Sequence, residues 1–173
     1  MGISLMTVLN HSLYSSYREM LIEHLFAGEV MRHLWLSGTT RMEVLKPQVD
    51  DGGYDLVLEA RGIVRHVQLK ASYIGASTKS VKVSLGLEEK PSGCVIWVHF
   101  DQDTMMLGPF LCFGGPPGEP IPEIRGFKIA KHTKGTSKGV KNQRVRHRVI
   151  PKSQFMRLNS VEDLIKYLFG APL

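Results

Sequence analysis

The chain predicts a mixed α/β (α+β) fold in which a central mixed β-sheet is flanked by helices, and three observations predict it. Apolar residues recur at steps of three and four over one long early stretch. Short β-branched or wholly apolar runs, separated by Gly and Pro, fill the middle. A capped helical pattern closes the chain. With 173 residues, 43% hydrophobic and 22% charged, the composition is that of a globular protein, and the length fits one domain over 1–173.

From about His11 to Leu36, the residues Leu13, Tyr17, Leu21, Leu25, Val30, Met31, Leu34 and Trp35 trace a helical stripe that Ser37-Gly38 ends. Arg41 to Leu45 predicts a short strand, and Pro47 to Gly53 a loop. Tyr54 to Ala60 and Ile63 to Leu69 form two β-rich arms around Arg61-Gly62, the pattern of a hairpin with a two-residue turn. Ser80 to Leu85 predicts a strand and Glu88 to Gly93 a turn. Cys94 to Phe100 is strongly apolar and rich in β-branched residues, which predicts a central buried strand. Met105 to Phe113 predicts a strand antiparallel to it, and Gly114 to Pro120 a loop. Phe127 to Lys131 and Arg144 to Ile150 predict strands on either side of a basic Gly/Ser/Thr/Lys loop at about 131–143. Ser160 is placed to cap a last helix, Val161 to Phe169, with Asp163 as the acid of a capping-box-like start. Trp35 and Trp97 are expected in the core.

No apolar run approaches a membrane span, and Met1 to Asn10 lacks the charged start and cleavage pattern of a signal peptide, so a cytoplasmic protein is expected. Cys94 and Cys112 lie in apolar runs, outside any Cys-x-x-Cys pair and away from histidines at metal spacing. They predict buried free thiols.

The hairpin carries the chemistry. If Arg61-Gly62 is the whole turn, Ala60 faces Ile63, and counting outward sets Asp55 opposite Gln68. The period of two then puts Lys70 on that face and Leu69 on the other. A carboxylate, an amide and an amine would converge above an apolar layer. Hydrolysis of a phosphodiester needs that set, because the substrate is anionic and resists attack by water. Asp55 suits a hard cation such as Mg²⁺ or Mn²⁺, with the Gln68 oxygen as a weaker ligand. Lys70 suits the attacking water or the growing charge on phosphorus.

These residues, Asp51-Gly52-Gly53-Tyr54-Asp55 followed by Gln68-Leu69-Lys70, resemble the PD-(D/E)xK nuclease superfamily, in particular its restriction-endonuclease-like, Mrr-like branch. The likeness spans roughly Gly28 to Ser72. It implies an αβββαβ core and Mg²⁺-dependent DNA cleavage, with Lys70 as the catalytic lysine and Gln68 in the second acidic position. It further implies a glutamate on the first helix, for which Gly28-Glu29 stands in the matching place, so that Glu29 and Asp55 would hold the ion. Glu19 and Glu23 lie on the same helix and could serve instead. Gln68 departs from the commoner acid, and a neutral ligand weakens metal binding.

The net charge of +6 hides a division. Between Ile124 and Val161 stand eleven of the 22 Lys/Arg and no Asp or Glu, leaving eleven basic residues against all 16 acidic ones elsewhere. Lys128, Lys131, Lys134, Lys138, Lys141, Arg144, Arg146 and Arg148 are expected to contact DNA, the last three aimed from one strand face by alternation with Val145, His147 and Val149. With few aromatics interleaved, the backbone is the expected target. Of the seven histidines, His66 alone falls near the proposed site, one pleat from Gln68. The expectation is therefore a metal-dependent DNA endonuclease. Cutting both strands of a duplex calls for two sites, which makes a homodimer a reasonable expectation. Two rivals stay open: the same fold without chemistry, acting as a nucleic-acid-binding or assembly subunit, and a structural protein whose hairpin polarity is incidental.

Overall fold

The computed structural model describes residues 13–49, 51–132 and 142–171. Helix α1, Ser15–Leu36, buries Ile22, Phe26, Val30 and Leu34, one residue per turn. Val30 and Leu34 are buried as expected, while in the first half of the helix Ile22 and Phe26 take the inward places expected of Leu21 and Leu25. Leu13, Tyr17, Met31 and Trp35 lie on the outer side, and Trp35, expected in the core, is 68% exposed. Both sides of α1 are apolar enough to trace a stripe, so periodicity alone did not say which one packs inward.

Strands β1 (Met42–Leu45), β2 (Leu56–Ala60), β3 (Ile63–Tyr73), β5 (Gly93–Phe100), β6 (Leu107–Gly114) and β9 (Met156–Leu158) form a six-stranded sheet in the order β1-β2-β3-β5-β6-β9. Strands β4 (Ser80–Ser84), β7 (Ile129–Lys131) and β8 (Gln143–Pro151) form a second sheet in the order β4-β8-β7. The large sheet is mixed, because β3 and β5 run parallel while its other neighbours are antiparallel. Every residue of β5 is buried, as its apolar run demands. Between β3 and β5 the chain forms β4 and a 3₁₀ turn, Leu85–Glu89, where the αβββαβ order would have a helix. Strand β9 had no clear signal, being only three residues long.

Two cores lie on opposite faces of the large sheet. Ile22, Phe26, Val30, Leu34, Leu164 and Leu168 from the helices pack with Leu58, Val67, Ile96 and Val98. On the other face Val83, Leu87 and Ile150 pack with Val95, Trp97, Leu111 and Phe113. The result is a helix layer, a sheet and a smaller sheet. Helix α2, Val161–Phe169, starts as expected: Ser160 Oγ accepts from the Asp163 N–H at 3.1 Å and donates to Asp163 Oδ2 at 2.8 Å. Cys94 and Cys112 are buried free thiols, and burial pushes both thiol pKa values up.

Arg65 is buried on the helix side of β3. Its guanidinium donates to the Pro116 carbonyl at 2.8 Å and lies 5.3 Å from the centre of the Tyr167 ring. The cation thus ties the Gly/Pro-rich loop after β6 to β3 and α2. No helix among the described residues is long and apolar enough to cross a membrane.

Candidate active site

The β2–β3 hairpin sets the geometry. Arg61 and Gly62 have φ of 54° and 73°, so both central residues of the turn take the left-handed conformation whose twist matches the strands. Ala60 pairs with Ile63 and Leu56 with Val67. The paired residues end there, and Asp55, expected opposite Gln68, bonds instead to Val67 and Leu69. The Asp55 N–H donates to the Val67 carbonyl at 2.9 Å, and Asp55 Oδ2 accepts from the Leu69 N–H at 2.6 Å. The carboxylate is therefore held against β3 by backbone groups rather than left on a free loop.

The preceding glycine makes that placement feasible. Gly53 has φ +77°, and a Cβ there would lie 2.7 Å from the Ser84 Cβ. Any side chain at 53 would drive the loop off the end of β4. Gln68 is 6% exposed, and its Oε1 accepts from the Ser84 N–H at 3.3 Å. That bond orients the amide and leaves the Nε2 hydrogens as the group's free donor capacity. Val67 and Leu69 face the helices, while Gln68 and Lys70 face the second sheet.

A cavity of about 930 Å³ opens there. Asp51 and Asp55 from the loop and Gln68, Lys70 and Ser72 from β3 line one wall, and Arg18, Glu19 and Glu23 from α1 line another. Lys46, Lys82 and, from β8, Arg144, Arg146 and His147 close it. Among the lining residues six Lys/Arg stand with four Asp/Glu, a set that favours an anionic guest. Within it Lys46 ion-pairs with Glu23, and Arg144 Nη2 lies 3.4 Å from His147 Nε2.

The fold brings Asp55, Gln68 and Lys70 to one cavity and adds Arg144 and Arg146. It does not bring Glu29. That side chain is ion-paired with Arg32 at 2.9 Å, lies 3.7 Å from His33, and is absent from the cavity wall. Helix geometry gives the reason. Successive residues turn by about 100°, so Glu23, just after Ile22, and Glu29, just before Val30, fall on opposite flanks of the buried stripe. Glu19 and Glu23 are the helix acids that reach the cavity.

Arg148 also departs from expectation. Between Ile129↔Arg148 and Ala130↔Arg144 the β7–β8 register shifts, which breaks the alternation that would have aligned three arginines. The Arg148 guanidinium donates instead to the carbonyls of Val145 and Arg125, at 2.8 and 3.2 Å. Lys128 and Lys131 are exposed and lie outside the cavity wall. Lys134, Lys138 and Lys141 lie outside the described residues. His66 packs edge-on against Tyr54, with a ring-centre separation of 5.0 Å, and its pKa is lowered by burial and by Lys90. His147, not His66, is the histidine on the wall. Arg18, Lys46 and Lys82 were not singled out from sequence. Lys82 had a readable signal, the polar position between Val81 and Val83; Arg18 and Lys46 had none.

Among the described residues no group of three or more His, Cys, Asp or Glu is placed to hold a metal ion. A Mg²⁺ site needs fewer protein ligands than that. One or two carboxylates suffice when water and substrate phosphate complete the shell, and Asp55, already oriented by β3, fits such a sparse site.

No protein-family model and no curated protein matches the chain. Among solved structures it is similar to the bacterial homing endonuclease I-Ssp6803I, at 20% identity, covering 68% of this chain and 82% of that one, with a TM-score of 0.29. A superposition that loose fixes neither fold nor function, so the reading below rests on the cavity.

Proposed function

We propose that this chain is a metal-dependent DNA endonuclease whose site is the cavity between β3, α1 and β8. The single observation that supports it most is that Asp55, Gln68, Lys70, Arg144 and Arg146 line one cavity. Asp55 would hold Mg²⁺ or Mn²⁺, with Glu19 or Glu23 as the nearest further carboxylates. A cation bound there supplies Lewis acidity to the phosphoryl group. Lys70 places a positive charge where the non-bridging oxygens gain negative charge during attack by water. Gln68, its carbonyl engaged by Ser84, donates from Nε2 to the phosphate. Arg144 and Arg146 grip the flanking backbone by their planar forks. Water adds to phosphorus, one P–O ester bond breaks, and the leaving oxygen takes up a proton.

The test is incubation of the protein with plasmid, branched and single-stranded DNA, with Mg²⁺ or Mn²⁺, beside a Lys70→Ala variant. Cleavage that needs the metal and disappears in the variant supports the reading. Cleavage retained by Lys70→Ala counts against it. A second reading, a nuclease-like DNA-binding subunit without chemistry, is favoured by one specific observation: the Gln68 oxygen is occupied by the Ser84 N–H. Salt-sensitive binding without cleavage by the wild type decides for it.

A further inference from the structure

Helix α1 has a second apolar seam on its outer side, left exposed by the described residues. Tyr17, Met20, Met31 and Trp35 are 61%, 47%, 49% and 68% exposed, and with His24 and Gly28 they recur at steps of three and four. A single row at that spacing faces one direction along a helix. The inward row is separate and already filled by Ile22, Phe26, Val30 and Leu34.

Gly28 supplies an independent observation. It stands mid-way along a 22-residue helix, where glycine is the least favourable residue after proline. Yet a Cβ built at Gly28 meets nothing within 4 Å. Packing within the chain therefore does not require it. A small residue at the centre of an exposed apolar seam does suit a second helix crossing close against the backbone.

We propose that the outer face of α1 is a homodimer interface, formed by antiparallel pairing with α1 of a second copy. The seam is self-complementary about Phe26. A two-fold axis there sets Tyr17 against Trp35 of the partner subunit, and His24 against Gly28 of the partner subunit, with each large ring at an outer end and the small residue near the crossing. This is the isologous arrangement that two-fold symmetry demands. The four apolar residues expose on the order of 500 Å² per copy, or roughly 1,000 Å² for a pair before any rim is counted, the least that a specific interface needs. The proposal concerns association alone and does not depend on the chain being a nuclease.

Light scattering after size-exclusion chromatography, on the full chain over a range of micromolar concentrations, tests it. The wild type gives the mass of two chains. Trp35→Glu, at an exposed position, weakens association at least tenfold. Gly28→Leu does the same while leaving the Tm of the dilute protein unchanged or raised, because the added side chain meets only solvent in the single chain and improves helix propensity. A single-chain mass at every concentration overturns the proposal, including the case in which residues 1–12 cover the face. So does a dimer that tolerates both substitutions.

Discussion

The two sides of strand β3 differ in kind. Arg65, Val67 and Leu69 face the helices, where they pack in an apolar core or, for Arg65, bond to loop carbonyls. Gln68 and Lys70 face the second sheet and an open, charged cavity. One strand thus separates a packed face from a polar, open one by side-chain parity alone. The difference teaches that a polar residue's use is set by what covers its face, since Arg65 is as charged as Lys70 and is used to hold a loop.

That division can be tested by substitution. On the cavity side, Asp55→Asn keeps an oxygen for the Leu69 N–H, and Lys70→Ala removes a half-buried amine. Each is expected to lower DNA cleavage by about a hundredfold or more while the thermal midpoint stays close to wild type. On the helix side, Val67→Ala is expected to reduce stability by about 2–3 kcal/mol, as denaturant titration would show, through lost burial and a residual cavity. Cleavage by the fraction still folded should be unchanged. A Val67→Ala protein that is stable but inactive would break the comparison.

Binding offers a finer contrast within β8. Arg144→Ala and Arg146→Ala should each reduce the slope of log affinity against log salt by about one. Arg148→Ala should leave the slope alone, because its guanidinium is committed to backbone carbonyls. The same logic separates the helix acids. Glu29→Gln is expected to leave cleavage at the wild-type rate, whereas Glu23→Gln, which removes the partner of Lys46 in the cavity, should shift the metal concentration needed for half-maximal rate.

The smallest expected effect is on pH dependence. His66 is lowered by burial and Lys90, and His99 by burial and Lys152. Both are therefore protonated more readily in the unfolded chain than in the folded one. Their contribution to stability is present above the ordinary histidine pKa of 6.5 and is lost as pH falls through the lowered folded values. Thermal midpoints measured between pH 7 and pH 5 should decline, and less steeply in His99→Gln.

Much of this was legible before any coordinates. The Arg61-Gly62 turn fixed the pairing from Ala60 with Ile63 out to Leu56 with Val67, and the period of two put Gln68 and Lys70 on one face, because a two-residue loop leaves no freedom in strand pairing. The strongly apolar run of β5 and the Ser160 cap were equally plain. What escaped depends on three-dimensional neighbours. Two apolar rows on α1 made its phase ambiguous, and that sent Glu29 to the wrong flank. A register shift in β7–β8, invisible in an alternating run of arginines, turned Arg148 away. Lys46 and Arg18 reach the cavity only because loop and helix ends meet there.

The central claim is that residues 55, 68 and 70 share one metal- and phosphate-binding cavity. A crystal structure of the protein with Mn²⁺ and a short DNA duplex, read by anomalous scattering, tests it most directly. The account predicts a manganese peak at the Asp55 carboxylate with a DNA phosphate beside it, within reach of Lys70. Manganese bound elsewhere, or DNA lying on a surface remote from Asp55, would contradict it.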